Sequence, residues 1–292
     1  MSEFSGFEHI VREQESLAPF TSLRFGGVGE FFAEPTSQPE LVGLVGRCHS
    51  NQIPVRILGS GSNLLIASES VPGMVIYLSA AEFSEITVEG TSVTAGGGAA
   101  LVQLLSTAAR EGLEGFEQLA GIPGTVGGAL RANAGTHSGD IGQRTEVVSV
   151  LTRSGECIDR SGDDLRFSYK ESSLNELVIL KARFNLVEGD AVAITRKMQT
   201  QWIVNKSLQP QGGERYLEMF RDHNGLSAVS LIEQAGLKGA QQGGVSISES
   251  HPNYMVIGET ATCEQALGLL EHIQKEVETQ LGVSLQTQIE IW

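Results

Sequence analysis

Two glycine-rich segments constrain this chain more than any other feature. Leu58-Gly59-Ser60-Gly61-Ser62-Asn63-Leu64-Leu65 continues the apolar run Val55-Arg56-Ile57-Leu58, which reads as a buried strand entering a loop. Gly121-Ile122-Pro123-Gly124-Thr125-Val126-Gly127-Gly128-Ala129 sets one proline, with its locked φ, among glycines that free the backbone. Lacking a Cβ, such main chain lets a flat or charged ligand come close, and Ser60, Ser62 and Asn63 add neutral donors to the first segment. No Gly-Lys-[Ser/Thr] follows to make a P-loop, and the GxGxxG spacing of a Rossmann turn is missing. Taken singly, the first segment fits a pyrophosphate cradle or a plain strand-to-loop turn. The second fits a ligand loop or the tight packing of a turn against a helix.

Charge narrows what such loops hold. The formal net charge is −15, and affinity for a phosphate backbone comes mainly from Lys and Arg, so a nucleic-acid partner is not expected. An anionic substrate would instead rest on local donors held against the overall field. Cys48, Cys157 and Cys263 are widely spaced and form no CxxC pair, as in reduced intracellular thiols. The six histidines show no metal-ligand spacing, so no metal is expected. No apolar tract approaches the roughly 20 residues of a membrane span. The N-terminal stretch has neither a basic start nor an apolar core, so no membrane partner and a cytoplasmic location are expected.

At 292 residues the chain is long for one core. Leu41, Leu44 and Val45 predict a helix over 38–50, and Leu101, Leu104 and Leu105 another near 99–111. Ile86/Val88 and Val93/Ala95 alternate about a Glu89-Gly90 turn as a hairpin, and Leu177-Val178-Ile179-Leu180 begins a strong strand. Ile194, Met198 and Trp202, spaced four apart, predict a helix over 191–207 buried along that stripe. Thr262 with Gln265 forms a capping box for a helix over 263–281 with Ala266, Leu270, Ile273, Val277 and Leu281 buried and Gly282 as its stop. A final strand is expected over 284–291. The mixture predicts an α+β fold, divided as an N-terminal segment 1–20, a domain 21–188 and a C-terminal domain 189–292, with the boundary at Glu188-Gly189-Asp190.

The two glycine segments, in this order and at this separation, are more specific than either alone. Together with Thr21-Ser22-Leu23-Arg24-Phe25-Gly26-Gly27, Asn133-Ala134-Gly135, Phe167-Ser168-Tyr169, Gln209-Pro210, Leu231-Ile232-Glu233, Leu237-Lys238-Gly239 and His251-Pro252-Asn253-Tyr254, they resemble the bacterial UDP-N-acetylenolpyruvoylglucosamine reductase family over nearly the whole chain. The resemblance is to its shorter subgroup, without the tyrosine-bearing substrate loop. It implies an FAD-binding domain of the vanillyl-alcohol-oxidase or p-cresol-methylhydroxylase type, made of two α/β subdomains, followed by an α+β substrate domain. It also implies non-covalent FAD on Gly59, Ser60, Gly61, Ser62, Asn63 and Leu64 and on Gly121, Ile122, Pro123, Gly124, Thr125, Gly127, Gly128 and Ala129. NADPH is the implied electron donor, and a nucleotide-sugar enolpyruvate of peptidoglycan synthesis the implied substrate, touched by Tyr169, Arg221, Asp222 and Lys238.

At the family's reacting positions the residues depart from its pattern. Where an arginine follows Phe-x-Tyr stands Lys170, which keeps the charge but not the two-bond guanidinium fork. Where a serine or cysteine gives the proton stands Glu218, which repels the substrate's carboxylate when ionised and can donate only when neutral. Asp222-His223 replaces Asn-Pro, and the final glutamate is Gln288, which hydrogen-bonds but supplies no proton. The leading expectation is a reductase with Lys170, Glu218 and Gln288 at its catalytic positions. The alternatives are an FAD-binding paralogue that has lost this reaction and an oxidase on the same flavin fold.

Overall fold

The computed structural model describes residues 3–24, 26–210, 215–223 and 225–292, so Phe25 of the Thr21–Gly27 motif lies outside the described residues. The chain forms two compact units. The first comprises Met1–Glu15, Gly29–Ser60 and Pro72–Asn205, and the second Ser16–Val28, Gly61–Val71 and Lys206–Trp292. The division therefore falls between Asn205 and Lys206, not near 188, because helix 191–207 docks on the first unit along most of its length. It also passes through the first glycine segment, between Ser60 and Gly61.

The first unit holds two hydrophobic cores. Helix α1 (Gln38–Ser50) keeps its predicted bounds and packs Leu41, Leu44, Val45 and Cys48 against a four-stranded sheet. In that sheet Val55–Leu58 runs parallel to Ser70–Tyr77. The second core lies under a five-stranded sheet ordered Cys157–Ser161, Thr145–Leu151, Val178–Asn185, Ser92–Gly96, Ile86–Glu89. Strand Val178–Asn185 begins as an apolar run because both faces are buried there, Val178 and Leu180 in the first core and Ile179 in the second; beyond Lys181 it alternates, with Ala182 and Phe184 in the second core.

Helix α2 (Leu101–Arg110) buries Leu101, Leu104, Leu105 and Ala108 in the second core, and α3 (Val126–Arg131) follows directly from the second glycine segment. Helix α4 (Ala191–Ser207) corrects the expected stripe. Its inward seam is Ile194, Met198, Gln201 and Asn205, whereas Trp202 is 51% exposed. The seam advances by four, three and four residues, so it follows the 3.6-residue repeat that a strict spacing of four drifts away from.

The second unit pairs Arg215–Glu218, Tyr254–Ile257, Val245–Ile247 and Gln241–Gln242, in that order, as an antiparallel sheet. Helices α5 (Ala228–Gln234) and α6 (Cys263–Leu281) cover it, contributing Leu231, Ile232, Leu269, Leu270, Ile273 and Val277 to one core with Leu217, Met219 and Met255. The capping box at Thr262 and Gln265 forms as read, and Gly282 closes α6 with a left-handed φ of 68°. The expected final strand is interrupted. Thr287 bridges Phe220, then Glu290–Ile291 turns to pair in parallel with Leu64–Leu65, so the segment changes partners midway.

Candidate functional site

In the first unit the two glycine segments meet. A Cβ built on Gly59 would stand 2.9 Å from the Oγ1 of Thr125, and that same oxygen accepts from the Gly128 N–H at 3.3 Å as the cap of α3. The second segment is stitched to residues 97–101: Leu101 N–H donates to the Gly124 carbonyl, Val126 to Ala99 and Gly127 to Gly97, at 2.8–2.9 Å. Residue 97 must be glycine, since a Cβ there would collide with the Ile179 carbonyl. Gly121 and Gly124 take φ of 88° and 131°, a region L side chains avoid. Gly128 is exposed, and a Cβ there would meet only the Thr125 hydroxyl, at 3.4 Å. The segment thus joins a rigid, glycine-dependent base to an open main-chain face that carries no charged side chain.

Lys170 and Tyr169 form the two-residue tip of a hairpin between Phe167–Ser168 and Glu171–Ser172. Lys170 has a left-handed φ of 57° there. The buried side chain of Asn133, just after α3, donates from Nδ2 to the Ser168 carbonyl at 2.7 Å and accepts the Gly142 N–H at 3.2 Å. Ser172 Oγ adds a bond to the Arg131 carbonyl at 3.0 Å. The helix that begins at the second glycine segment therefore ends by anchoring the turn that carries Lys170. Tyr169 is 56% exposed at that tip.

In the second unit Glu218, Gln288 and Asn63 come together. The Gln288 N–H donates to the Met219 carbonyl at 3.0 Å, its Nε2 to the Glu218 carbonyl at 3.4 Å, and Asn63 Nδ2 to the Gln288 carbonyl at 2.8 Å. Asn63 thus uses its amide on the closing segment of the chain, and the adjacent Leu64 is a buried strand residue. Gly61 takes φ of 60° and accepts from the Ser22 hydroxyl at 3.0 Å, which ties the first segment to the Thr21–Gly27 motif. Glu218 lies directly across the sheet from Tyr254. Burial first, then the Glu218 and Tyr216 charges, push the Tyr254 phenol above its ordinary range, so it stays neutral.

A second buried asparagine holds Glu218's neighbours. Asn253 accepts from the Phe220 N–H at 3.0 Å and donates to the Phe220 carbonyl at 2.8 Å, while its own carbonyl accepts from Met219. Arg221 follows, with its N–H on the Gln286 carbonyl. Asp222 caps α5, accepting the Ala228 N–H at 2.8 Å, which gives this carboxylate a structural partner. Lys238 is half exposed and sits 3.6 Å from Glu233. Sequence reasoning assigned no role to Asn133 or Asn253, although both fall inside motifs that carry the resemblance. Among the described residues no group of His, Cys, Asp and Glu has the arrangement of a metal site, and no helix is long and apolar enough to cross a membrane.

Comparison with known proteins agrees with this geometry. An FAD binding domain profile matches residues 30–161, and the profile of the UDP-N-acetylenolpyruvoylglucosamine reductase C-terminal domain matches residues 209–292. Proteins named UDP-N-acetylenolpyruvoylglucosamine reductase from Rhodopirellula baltica and Bacillus velezensis are each 34% identical to the chain. The match covers 97% and 96% of this chain, respectively, and 93% of each relative. The crystal structure of the reductase from Thermus caldophilus superposes with a TM-score of 0.81 at 33% identity, covering 95% of this chain and 97% of that one. A Phl p 4 variant described as a glucose oxidase shares the fold alone, at a TM-score of 0.50 and 14% identity, over 97% of this chain and 64% of that one. The fold is α+β, with an FAD-binding part of the vanillyl-alcohol-oxidase type and a C-terminal domain of the reductase type.

Proposed function

Because the chain belongs to the UDP-N-acetylenolpyruvoylglucosamine reductase family, we infer that it reduces UDP-N-acetylglucosamine enolpyruvate to UDP-N-acetylmuramate in peptidoglycan synthesis, with FAD as cofactor and NADPH as donor. Nothing in the comparisons favours the reading in which this reaction has been lost. The observation that carries the assignment is the meeting of Gly59 with Thr125 beside an open Gly128. Main chain, not side-chain charge, faces the cofactor there, which fits FAD on a chain of net charge −15. Gly59 to Leu64, Gly121 to Thr125 and Gly127 to Ala129 are the residues assigned to it.

Bound FAD supplies hydride transfer, from NADPH and then to the enolpyruvyl double bond. The chain's own residues must hold the substrate, stabilise the enolate that develops and deliver one proton. Lys170 is assigned the positive charge for carboxylate and enolate, on a turn fixed by Asn133. Glu218 is assigned the proton; its carbonyl is held by Gln288, and its neighbours Met219 and Phe220 by Asn253. Gln288 orients without titrating. Tyr169, Arg221 and Lys238 are assigned to the nucleotide sugar, while Asp222 serves that region through its cap on α5. We place the cofactor function chiefly in the FAD-binding part within 21–188 and the substrate function in the part after Lys206, in a cytoplasmic enzyme. The test is a fluorescence titration with FAD: the purified protein should be yellow, and a colourless protein that takes up no FAD would overturn the reading.

A further inference from the structure

The inner seam of α4 changes character along its length. Ile194 and Met198 are apolar, Ile194 buried and Met198 packed against the second core, whereas Gln201 and Asn205, which continue the seam, are amides. Asn205 is only 7% exposed, and both the nitrogen and the oxygen of its carboxamide are engaged. Its Nδ2 donates to the Ala120 carbonyl at 2.7 Å and to the Gln118 carbonyl at 3.3 Å, and its Oδ1 accepts from Gln201 Nε2 at 2.9 Å. Ala120 immediately precedes Gly121, which lies directly against α4: a Cβ there would touch the Asn205 Cβ at 3.5 Å and Trp202 at 3.4 Å, ordinary contact distances. An apolar residue at 205 would satisfy burial as well as Ile194 does, yet would strand two carbonyls at the start of the second glycine segment.

We infer that Asn205 is a positioning residue for the flavin loop, its carboxamide setting where the main chain departs from Ala120 into Gly121–Ala129. The inference rests on the assignment of FAD to that loop. Donors are what the site requires. Gln118 and Ala120 present only carbonyl oxygens, so an acid of the same shape would put acceptor against acceptor. Asn205 acts through the loop, so its removal should change how FAD is held more than whether the apoprotein folds.

Four full-length variants separate this role from general support of α4. Asn205→Leu removes the donors, Asn205→Asp keeps the shape but not the donors, Met198→Ala loosens the same helix away from the loop, and Gly128→Val fills the open face of the loop itself. Each is titrated with FAD, its visible flavin band is recorded, and the apoprotein is melted. Both Asn205 variants should weaken FAD binding by about ten-fold, the loss of a buried hydrogen bond or two, with an altered visible band. Met198→Ala should lower the melting temperature while leaving FAD affinity within about two-fold of the parent. Asn205→Asp carries the test if Asn205→Leu does not fold. Unchanged FAD affinity in the Asn205 variants, or an equal loss in Met198→Ala, overturns the positioning role. If Gly128→Val also binds FAD normally, the cofactor does not lie on this loop and the inference falls with that assignment.

Discussion

Gln288 donates from its side-chain Nε2 to the main-chain carbonyl of Glu218, at 3.4 Å. An amide suits this contact and a carboxylate does not, because an ionised glutamate would face one oxygen with another. In Gln288→Glu the new carboxyl keeps the bond only while it holds its proton, which raises its folded-state pKa above the unfolded one. A raised acid contributes stability below its unfolded pKa and loses it as pH rises through the folded value. The melting temperature of Gln288→Glu, measured against the parent, should therefore be closer to it near pH 4 than near pH 8, with a deficit of about 1 kcal/mol at the higher pH. A constant difference across that range would show that the contact is not felt by the side chain.

The reacting positions should be coupled, since residues acting as a unit are strongly non-additive. Lys170→Arg, Glu218→Ser and Gln288→Glu together return the charge fork, the hydroxyl donor and the final carboxylate to the family pattern. We expect the triple variant to exceed the parent by at least about 10²-fold in substrate-dependent oxidation of the reduced protein. A parent already as fast as the triple variant would show that these positions do not limit the reaction.

Two neighbouring glycines should behave differently. A Cβ on Gly127 would stand 3.0 Å from the Gly97 carbonyl, so Gly127→Val should lower the melting temperature of the apoprotein by several degrees. At Gly128 the space is open, so Gly128→Val should melt near the parent and lose FAD. Equal melting losses in the two variants would contradict this division of the loop into a packed side and a ligand side.

Glu40 provides a pH-dependent contribution remote from the site. Its hydrogen bond to His9 at 2.8 Å, followed by those from the Thr36 hydroxyl and N–H, hold its carboxyl down to about 2. A depressed carboxyl adds stability at pH values above its unfolded pKa and loses it as pH falls from about 4.5 toward about 2. Glu40→Gln should therefore melt below the parent at pH 6, and the gap should close by pH 2. A gap that widens on acidification would contradict the sign.

Most elements were legible because their signals are local. Helix α6 announced itself through Thr262, Gln265 and Gly282, and α1 through Leu41, Leu44 and Val45. The parts that sequence reasoning missed depend on partners distant in the chain. Trp202 reads as core by spacing, but Asn205 faces inward because its amide meets the main-chain carbonyls of residues 118 and 120, and Gln201 faces inward to bond Asn205. The buried Asn133, Asn205 and Asn253 read as ordinary turn or surface residues until the backbone each one binds is known. The final strand could not be divided from its pattern alone, since Thr287 and Glu290 answer to different partners.

The central claim is that this chain passes reducing equivalents to a nucleotide-sugar enolpyruvate. Stopped-flow absorbance on the FAD-loaded protein, reduced beforehand by NADPH and mixed anaerobically with UDP-N-acetylglucosamine enolpyruvate, tests it in one step. The account predicts that the flavin band near 450 nm returns at a rate that rises with substrate concentration and saturates, with UDP-N-acetylmuramate formed in equal amount. A protein that binds FAD and accepts electrons from NADPH, yet stays reduced at every substrate concentration, would contradict it.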